Sequence, residues 1–432
     1  MGHLLKRFSE LIRLVAIAIG MAVSITCNTV LASLFAYVDI PAFYVSLVVA
    51  GVAMIVIVLC FAELSSKFPG AIGIRAFTKA AFGNRFSLAV TLFYICMVML
   101  MGGLEIFLCH LLLRQLLPGT WAIGLLVFLL ASIVVVNLRG YELSMRFQIV
   151  MALLVVCMMI GLSMMGMNPD AVSQPARSHS DWLHSVPSAL FLFVGVEWAV
   201  MHVTRHDAFK RTLPQALVVS VLLTGALYGL LGSALGSQFS IDQIPLLKLP
   251  HLELAKKTHA QSAILVVTLL SLFAMLTNFN VGLSGAARML YSLAREGEIP
   301  VWFAKLQGKS LAPQNAILFI SASVIAAVPI MASDALSGYI SLLLGLHLCI
   351  VYGFVLVAWL QLRRKKDRRG IQLPISRYVV TPVFLLLAVI VVGAFVDVGS
   401  SAVKLILLAE GLVISAICIN PFSRPISIKT PK

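Results

Sequence analysis

The sequence has few charged residues and no long polar segment. Only 11% of its 432 residues are charged and 60% are apolar, with a mean hydropathy of +1.02, whereas soluble globular proteins carry about 25% charged residues. These absences exclude a large soluble domain, a disordered regulator and a secreted disulfide scaffold. They predict an all-α polytopic membrane protein in which residues 1–432 form a single transmembrane domain.

The seven cysteines do not form a recognisable metal or redox motif. None shows CxxC spacing, and all lie inside apolar runs, at Cys27, Cys60, Cys96, Cys109, Cys157, Cys349 and Cys418. We therefore expect small buried hydrophobic residues here, not disulfides or metal ligands, and we expect no cofactor.

Twelve apolar runs approach the length of about 20 residues that a transmembrane helix needs. They lie near residues 11–34, 42–62, 86–112, 121–138, 147–167, 185–204, 214–236, 261–286, 315–332, 337–362, 378–396 and 402–420. The sequence therefore predicts about 12 transmembrane helices.

Acidic residues are scarce, with 17 Asp and Glu against 32 Lys and Arg, and the net charge is +15. If the chain crosses the membrane twelve times, its two ends lie on the same side of the membrane, and 26 of the basic residues lie on that side. The other six are Arg114, Arg177, Lys248, Lys256, Lys257 and Lys404. Because basic residues concentrate in cytoplasmic loops, this split predicts a multi-pass protein of the inner membrane with both termini cytoplasmic. It also explains the charge without nucleic acid. The basic run at 363–369 is a topological anchor or a site for anionic lipid.

Two predicted spans contain small and polar residues at their centres. Span one has Gly20, Ser24 and Thr26, and span six has Gly195 beside Glu197. Interrupted helices at matching positions in two halves are typical of transporters built from inverted repeats, with the substrate near the breaks. Alternatively, the small residues allow close helix packing.

Three stretches resemble the amino acid–polyamine–organocation (APC) permease superfamily. The first, 63–83, contains Glu-Leu, Phe-Pro and Phe-Gly. The second combines FLFVGVEW at 191–198 with KRTLPQAL at 210–217. The third, 284–305, reads SGAARMLYSLAREGEIPVWFAK. The resemblance implies a leucine-transporter-like fold with a 5+5 inverted repeat at 11–167 and 185–362. It also implies two extra C-terminal helices at 378–420 and alternating access around a mid-membrane site.

The resemblance also implies roles for individual residues. Ser24, Ile25 and Thr26 occupy the turn whose amides hold a substrate carboxylate in relatives, but both of the family's glycines are replaced, which restricts close backbone approach. Phe191 matches an aromatic gate and Glu197 an acid linked to gating or proton sensing. The predicted substrate-binding residues are Gly20, Ser24, Ile25, Thr26, Glu105, Phe191, Phe193, Val194 and Gly195.

Three acids lie inside apolar runs, where a charge costs about 2.5–3.5 kcal/mol on insertion scales. Glu105 and Glu197 belong to spans that the family fold places at the central cavity, whereas Glu410 belongs to a peripheral span. No Lys or Arg lies at comparable depth, so we expect a cationic or amine-bearing substrate. Some proton-coupled relatives carry a Lys on span five, and this sequence has none there. The coupling partner could therefore be protons or a counter-solute, and the sequence does not decide between them. Arg205 stands where the family often has an acid.

The sequence thus predicts a permease for amino acids or related amines, and not an enzyme, because it lacks a catalytic motif such as HExxH. An exchanger or exporter of the same solutes is the alternative within transporters. A membrane receptor without transport activity is the alternative from another class.

Overall fold

A computed structural model of the chain describes residues 2–68, 73–139, 141–167, 181–203, 211–258, 260–306, 311–333, 339–364, 370–397 and 401–419. Within these ranges the protein is all-helical, and no β-strand occurs. The α-helices in chain order are α1 (Gly2–Ala22), α2 (Ile25–Leu34), α3 (Ile40–Lys67), α4 (Gly73–Phe82), α5 (Asn84–Leu113), α6 (Gly119–Arg139), α7 (Tyr141–Gly166), α8 (Trp182–Phe191), α9 (Thr212–Gln238), α10 (Pro250–Thr258), α11 (Ala260–Arg295), α12 (Gln314–Met331), α13 (Ile340–Arg364), α14 (Arg377–Asp397) and α15 (Ser401–Ile419). Short 3-10 segments lie at Val196–His202, Ile244–Leu246 and Val301–Ala304.

Nine helical segments in the described part of the chain are long and apolar enough to cross a membrane, or ten if the bent pair α1 and α2 is one span. They coincide with the first ten predicted spans. The last two predicted spans are also helical, as α14 and α15, but neither is among those nine or ten segments. A polytopic membrane protein is therefore confirmed, and the count of twelve spans stays a prediction.

The first span is broken at Ser24, where α1 and α2 meet at an angle of 60°. Ser24 has an extended backbone, and its hydroxyl caps α2 by accepting a hydrogen bond of 3.1 Å from the amide of Cys27. On the other side of the break, the Tyr228 hydroxyl donates to the carbonyl of Ala22 at 2.9 Å. The protein thus supplies hydrogen-bond partners on each side of the break, as a break inside a membrane requires.

The sixth span is broken in a different way. After α8 ends at Phe191 the chain makes a turn, and a 3-10 segment follows at Val196–His202. Gly195 joins the two parts with φ of +94°, a left-handed conformation that favours glycine. Pro187 lies inside α8. The predicted interruptions of spans one and six are both present.

Packing separates an inner group of helices from an outer group. The 3-10 segment after Gly195 is buried against α1, whereas α6, α14 and α15 expose many large apolar side chains, such as Phe128, Val389 and Leu412. Exposed apolar surface of this extent is unfavourable in water and is natural in contact with lipid. The inner helices therefore provide the walls of any solute site.

Two of the motif stretches meet at one cluster of charges. Arg75 contacts Glu296 at 2.8 Å and Glu298 at 3.4 Å, and Lys79 contacts Glu296 at 2.7 Å. Burial alone would raise the pKa of Glu296, but hydrogen bonds from Lys79 and Arg75 outweigh it and hold that pKa below its usual value. The cluster ties the end of α11 to α4. Arg205, which the sequence singled out, lies outside the described residues.

The cysteines are all free thiols. Four are buried and two are partly buried, but Cys157 is exposed on α7, so the prediction of seven buried residues is wrong at this position. Cys157 lies on the exposed face of α7 together with Leu153 and Met164, whereas the opposite face of that helix packs against the bundle. Among the described residues, no group of three or more His, Cys, Asp or Glu side chains could hold a metal ion.

Candidate functional site

Glu105 of α5 fills the break in the first span. One carboxylate oxygen accepts a hydrogen bond of 3.1 Å from the amide of Ile25. The other accepts from the amide of Thr26 at 3.2 Å and from its hydroxyl at 2.6 Å. The Glu105 side chain is fully buried. The start of α2 presents N–H groups that lack partners within the helix, and the positive end of a helix dipole, so it suits a negative charge. The arrangement stabilises a buried carboxylate, and no basic side chain among the described residues forms an ion pair with it.

A small cavity lies beside this carboxylate, between α1, α5, α11 and α12. Glu105 and Asn278 are the polar side chains among its described lining residues, and the rest of the lining includes Met21, Met101 and Phe279. The carboxamide oxygen of Asn278 is buried and has no hydrogen-bond partner. The cavity therefore offers hydrogen-bond acceptors within an apolar enclosure, and the described lining contains no Lys or Arg.

Glu197 occupies a separate, second cavity, which it lines with Phe61, Tyr94 and Met201. Its carboxylate accepts hydrogen bonds from the Tyr94 hydroxyl at 2.6 Å and from the amide of Gly195 at 3.0 Å. Tyr94 and Glu105 are eleven residues apart on α5, about 16 Å along the helix axis. The two intramembrane acids thus lie at different levels of the bundle.

The two broken spans contact each other directly. A Cβ atom added to Gly195 would lie 2.8 Å from the Cβ atom of Met21 and 3.0 Å from its backbone carbonyl carbon. Gly285 of α11 approaches the ring of Trp198 just as closely. Glycine at position 195 permits the close approach of the two breaks, and glycine at position 285 permits the close approach of α11 to the 3-10 segment.

The structure brings only some of the predicted site residues together. Ser24, Ile25 and Thr26 surround the Glu105 carboxylate, as described above. Phe191 is buried at the end of α8, where its carbonyl accepts a contact of 4.0 Å from the Cys27 thiol.

The other predicted residues do not line the cavity beside Glu105. The ring of Phe193 lies toward Gly51 of α3 and Gly225 of α9. Gly20 is buried within α1, and Val194 is buried in the turn before Gly195. None of these residues is among those lining the first cavity.

Sequence reasoning missed the partners of Glu197. Tyr94 bonds that carboxylate, and its hydroxyl also accepts a hydrogen bond from the indole nitrogen of Trp198. Both aromatic side chains are buried. The position of Tyr94, three helical turns before Glu105, was the available signal, because residues eleven apart share a helix face.

Glu410 has a partner that the sequence did not indicate. Its carboxylate lies 2.7 Å from the Nε2 atom of His347, whose Nδ1 atom lies 2.7 Å from the carbonyl of Leu343. The His347 ring also stacks on Phe93 with 4.4 Å between centroids. This pair ties α15 to α13, which accounts for an acid on an outer helix.

Comparisons with known proteins agree with this architecture. A family model described as "Amino acid permease" matches residues 10–417. The chain is 24% identical over 220 residues to the uncharacterized amino acid permease YecA of Bacillus subtilis (strain 168), covering 47% of this chain and 49% of that protein. It is 22% identical over 281 residues to the amino-acid permease AapA of the same organism, covering 59% and 58%. The chain thus spans about half the length of the curated relatives it matches.

Proposed function

Because the chain belongs to the amino acid permease family, we propose that it is a secondary active transporter that moves amino acids or related amines across the cytoplasmic membrane by alternating access. The observation that carries the proposal is the pair of broken spans that meet at Met21 and Gly195 beside a buried carboxylate. Interrupted helices in a membrane are tolerated where they line a solute path.

The proposal includes the full architecture expected from the resemblance. Residues 11–167 and 185–362 are the two inverted repeats, and 378–420 supplies two peripheral helices, which gives twelve spans. The breaks in spans one and six support this division, since they occupy the first position of each repeat. The exposed apolar surfaces of α14 and α15 are consistent with peripheral, lipid-facing positions. Both termini are cytoplasmic on this proposal.

The substrate in this proposal carries an ammonium group that Glu105 helps to recognise. Glu105 and Asn278, whose buried amide oxygen has no partner, line one small cavity that has no basic side chain in its described lining. The cavity holds little more than water-sized space, so the helices must separate to admit a solute. Met21 and Met101 are flexible linings that adapt to different shapes.

Glu197 is the gating residue in this proposal. It bonds the amide at the hinge glycine of span six and the hydroxyl of Tyr94 on α5. A tilt of the 3-10 segment away from α5 breaks the bond between Glu197 and Tyr94. The Phe193–Gly195 turn is the segment that moves, and Phe191, at the end of α8, closes the solute path next to it. Protons or a counter-solute supply the driving force.

A proteoliposome uptake panel tests the proposal. Purified protein is reconstituted and offered labelled neutral, cationic and aromatic amino acids and their decarboxylated amines. Each assay is run with and without a pH gradient, and with and without internal solute for exchange. Saturable uptake of at least one solute supports transport. Binding of a solute without any uptake or exchange in well-folded, reconstituted protein would favour the alternative of a receptor without transport activity.

A further inference from the structure

We infer that Glu105 takes the place of a ligand carboxylate at the break in the first span, so that the transported solute is an amine without an α-carboxylate. This inference rests on the proposed transport function. Three independent features of the described residues carry it: the occupied amides of α2, the spare acceptors of the cavity, and the absence of a basic side chain in the described lining.

The backbone amides at the start of α2 have no capacity left for a ligand anion. N–H groups in the first turn of a helix lack partners within the helix, and here side chains of the protein accept from those of Ile25, Thr26 and Cys27. Glu105 accepts from the first two amides. The Ser24 hydroxyl accepts from Cys27 at 3.1 Å, and the Ser24 carbonyl from Asn28 at 3.2 Å. A ligand carboxylate could bind here only by displacing Glu105.

Displacement of Glu105 is unfavourable. Its side chain is fully buried and would lose the amides of Ile25 and Thr26 together with the Thr26 hydroxyl. A ligand carboxylate that entered beside it would place two like charges a few ångströms apart in a poorly solvated space. Such repulsion weakens binding by roughly 100-fold or more.

The remaining acceptors of the cavity match an ammonium group. A carboxylate has about four acceptor positions; Glu105 uses three of them for the hydrogen bonds described above and also interacts with the Ser24 hydroxyl, so its negative charge is what chiefly attracts an ammonium. Asn278, whose buried carboxamide oxygen has no partner, lines the same cavity. An ammonium has three N–H donors and no acceptor, so it can bond both oxygens.

The apolar lining of the cavity indicates that the rest of the ligand is mainly apolar. Met21, Met101, Phe279 and Ile320 enclose the space, and the described lining contains no side chain that could neutralise a second acid. The predicted ligand therefore has an ammonium at one end and a mainly apolar body. Removal of an α-carboxylate from an amino acid produces such a molecule.

The experiment compares solutes that differ only in the carboxylate. Phenethylamine is paired with phenylalanine and 3-methylbutylamine with leucine, in thermal-shift titrations and in proteoliposome uptake with the full chain. Wild-type protein is expected to respond to at least one amine at a concentration about 100-fold lower than to its amino acid. Preference for the amino acid in both pairs would overturn the inference while leaving the transport function intact. Absence of binding and uptake for all solutes would overturn both.

Variants then locate the preference at one side chain. Glu105→Ala frees the amides of α2, so it is expected to lose amine binding at least tenfold and to gain binding of the matching amino acid. Glu105→Gln keeps the size of the side chain and is expected to lose amine binding in the same direction, should the alanine variant fail to fold. Glu410→Gln removes an intramembrane acid that faces His347 instead of the cavity, and it serves as the control with an unchanged amine preference. An unchanged preference in both Glu105 variants would contradict the inference.

Discussion

Replacement of Gly195 by alanine tests whether the two broken spans depend on their close contact. The residue has φ of +94°, and a left-handed backbone costs about 1–2 kcal/mol for a residue with a Cβ atom. The added methyl group would lie 2.8 Å from the Cβ atom of Met21 and 3.0 Å from its backbone carbonyl carbon. Because the backbone of α1 cannot retreat as a flexible side chain would, overpacking adds about 1–3 kcal/mol.

Together these effects destabilise the folded protein by about 2–5 kcal/mol. The assay is thermal unfolding of the purified protein in detergent, followed by proteoliposome uptake for the variant that remains folded. We expect a melting temperature several degrees below that of wild type, and reduced uptake at temperatures where the variant is folded. The latter follows because the turn can no longer approach α1.

Gly124→Ala on α6 is the matched control, because a Cβ atom there would meet nothing within 4 Å. Alanine in a helix is favoured over glycine by about 0.5–1 kcal/mol, so this variant should melt at the same temperature as wild type or slightly above it. If Gly195→Ala behaves like Gly124→Ala in both assays, the broken spans do not depend on the contact and the reasoning is refuted.

Three further changes have expected outcomes in the same thermal assay. Tyr94→Phe removes the hydroxyl that bonds Glu197 at 2.6 Å and should cost about 1–3 kcal/mol; an unchanged melting temperature would count against the bond. Burial lowers the pKa of His251 from 6.5 to about 3. The unfolded chain therefore takes up a proton first as the pH falls, and stability should decline by up to about 1.4 kcal/mol per pH unit below about pH 6.5. His251→Leu should flatten that decline between pH 7 and pH 5. Arg363→Ala leaves the buried Glu63, now 3.1 Å from Arg363, without its main partner and should cost about 3–5 kcal/mol, whereas replacing both residues with Met should regain part of the loss.

Hydrophobic length alone located most of the fold. Ten of the twelve predicted runs coincide with helical segments that can cross a membrane. A membrane span needs a run of apolar residues whichever helices it packs against, so its position can be read from the sequence. The breaks were also predictable, because Ser24 and Gly195 suit a helix cap and a left-handed turn. These features depend on local sequence.

The partners inside the bundle depend on tertiary contacts and could not be read from the sequence. Glu105 and Thr26 are 79 residues apart, and Tyr94 and Glu197 are 103 apart. The direction of Phe193, toward α3 and α9, depends on how the turn after α8 packs. The sequence could therefore identify Glu105 and Glu197 as intramembrane acids but could not assign them to two separate cavities.

The most direct measurement is an experimental structure of the full-length protein with its best-transported solute bound. The account predicts that Glu105 stays hydrogen-bonded to the amides of Ile25 and Thr26, with the ammonium of the solute within hydrogen-bond distance of Glu105 and Asn278. A solute carboxylate seated on those two amides, with the Glu105 side chain displaced, would contradict it.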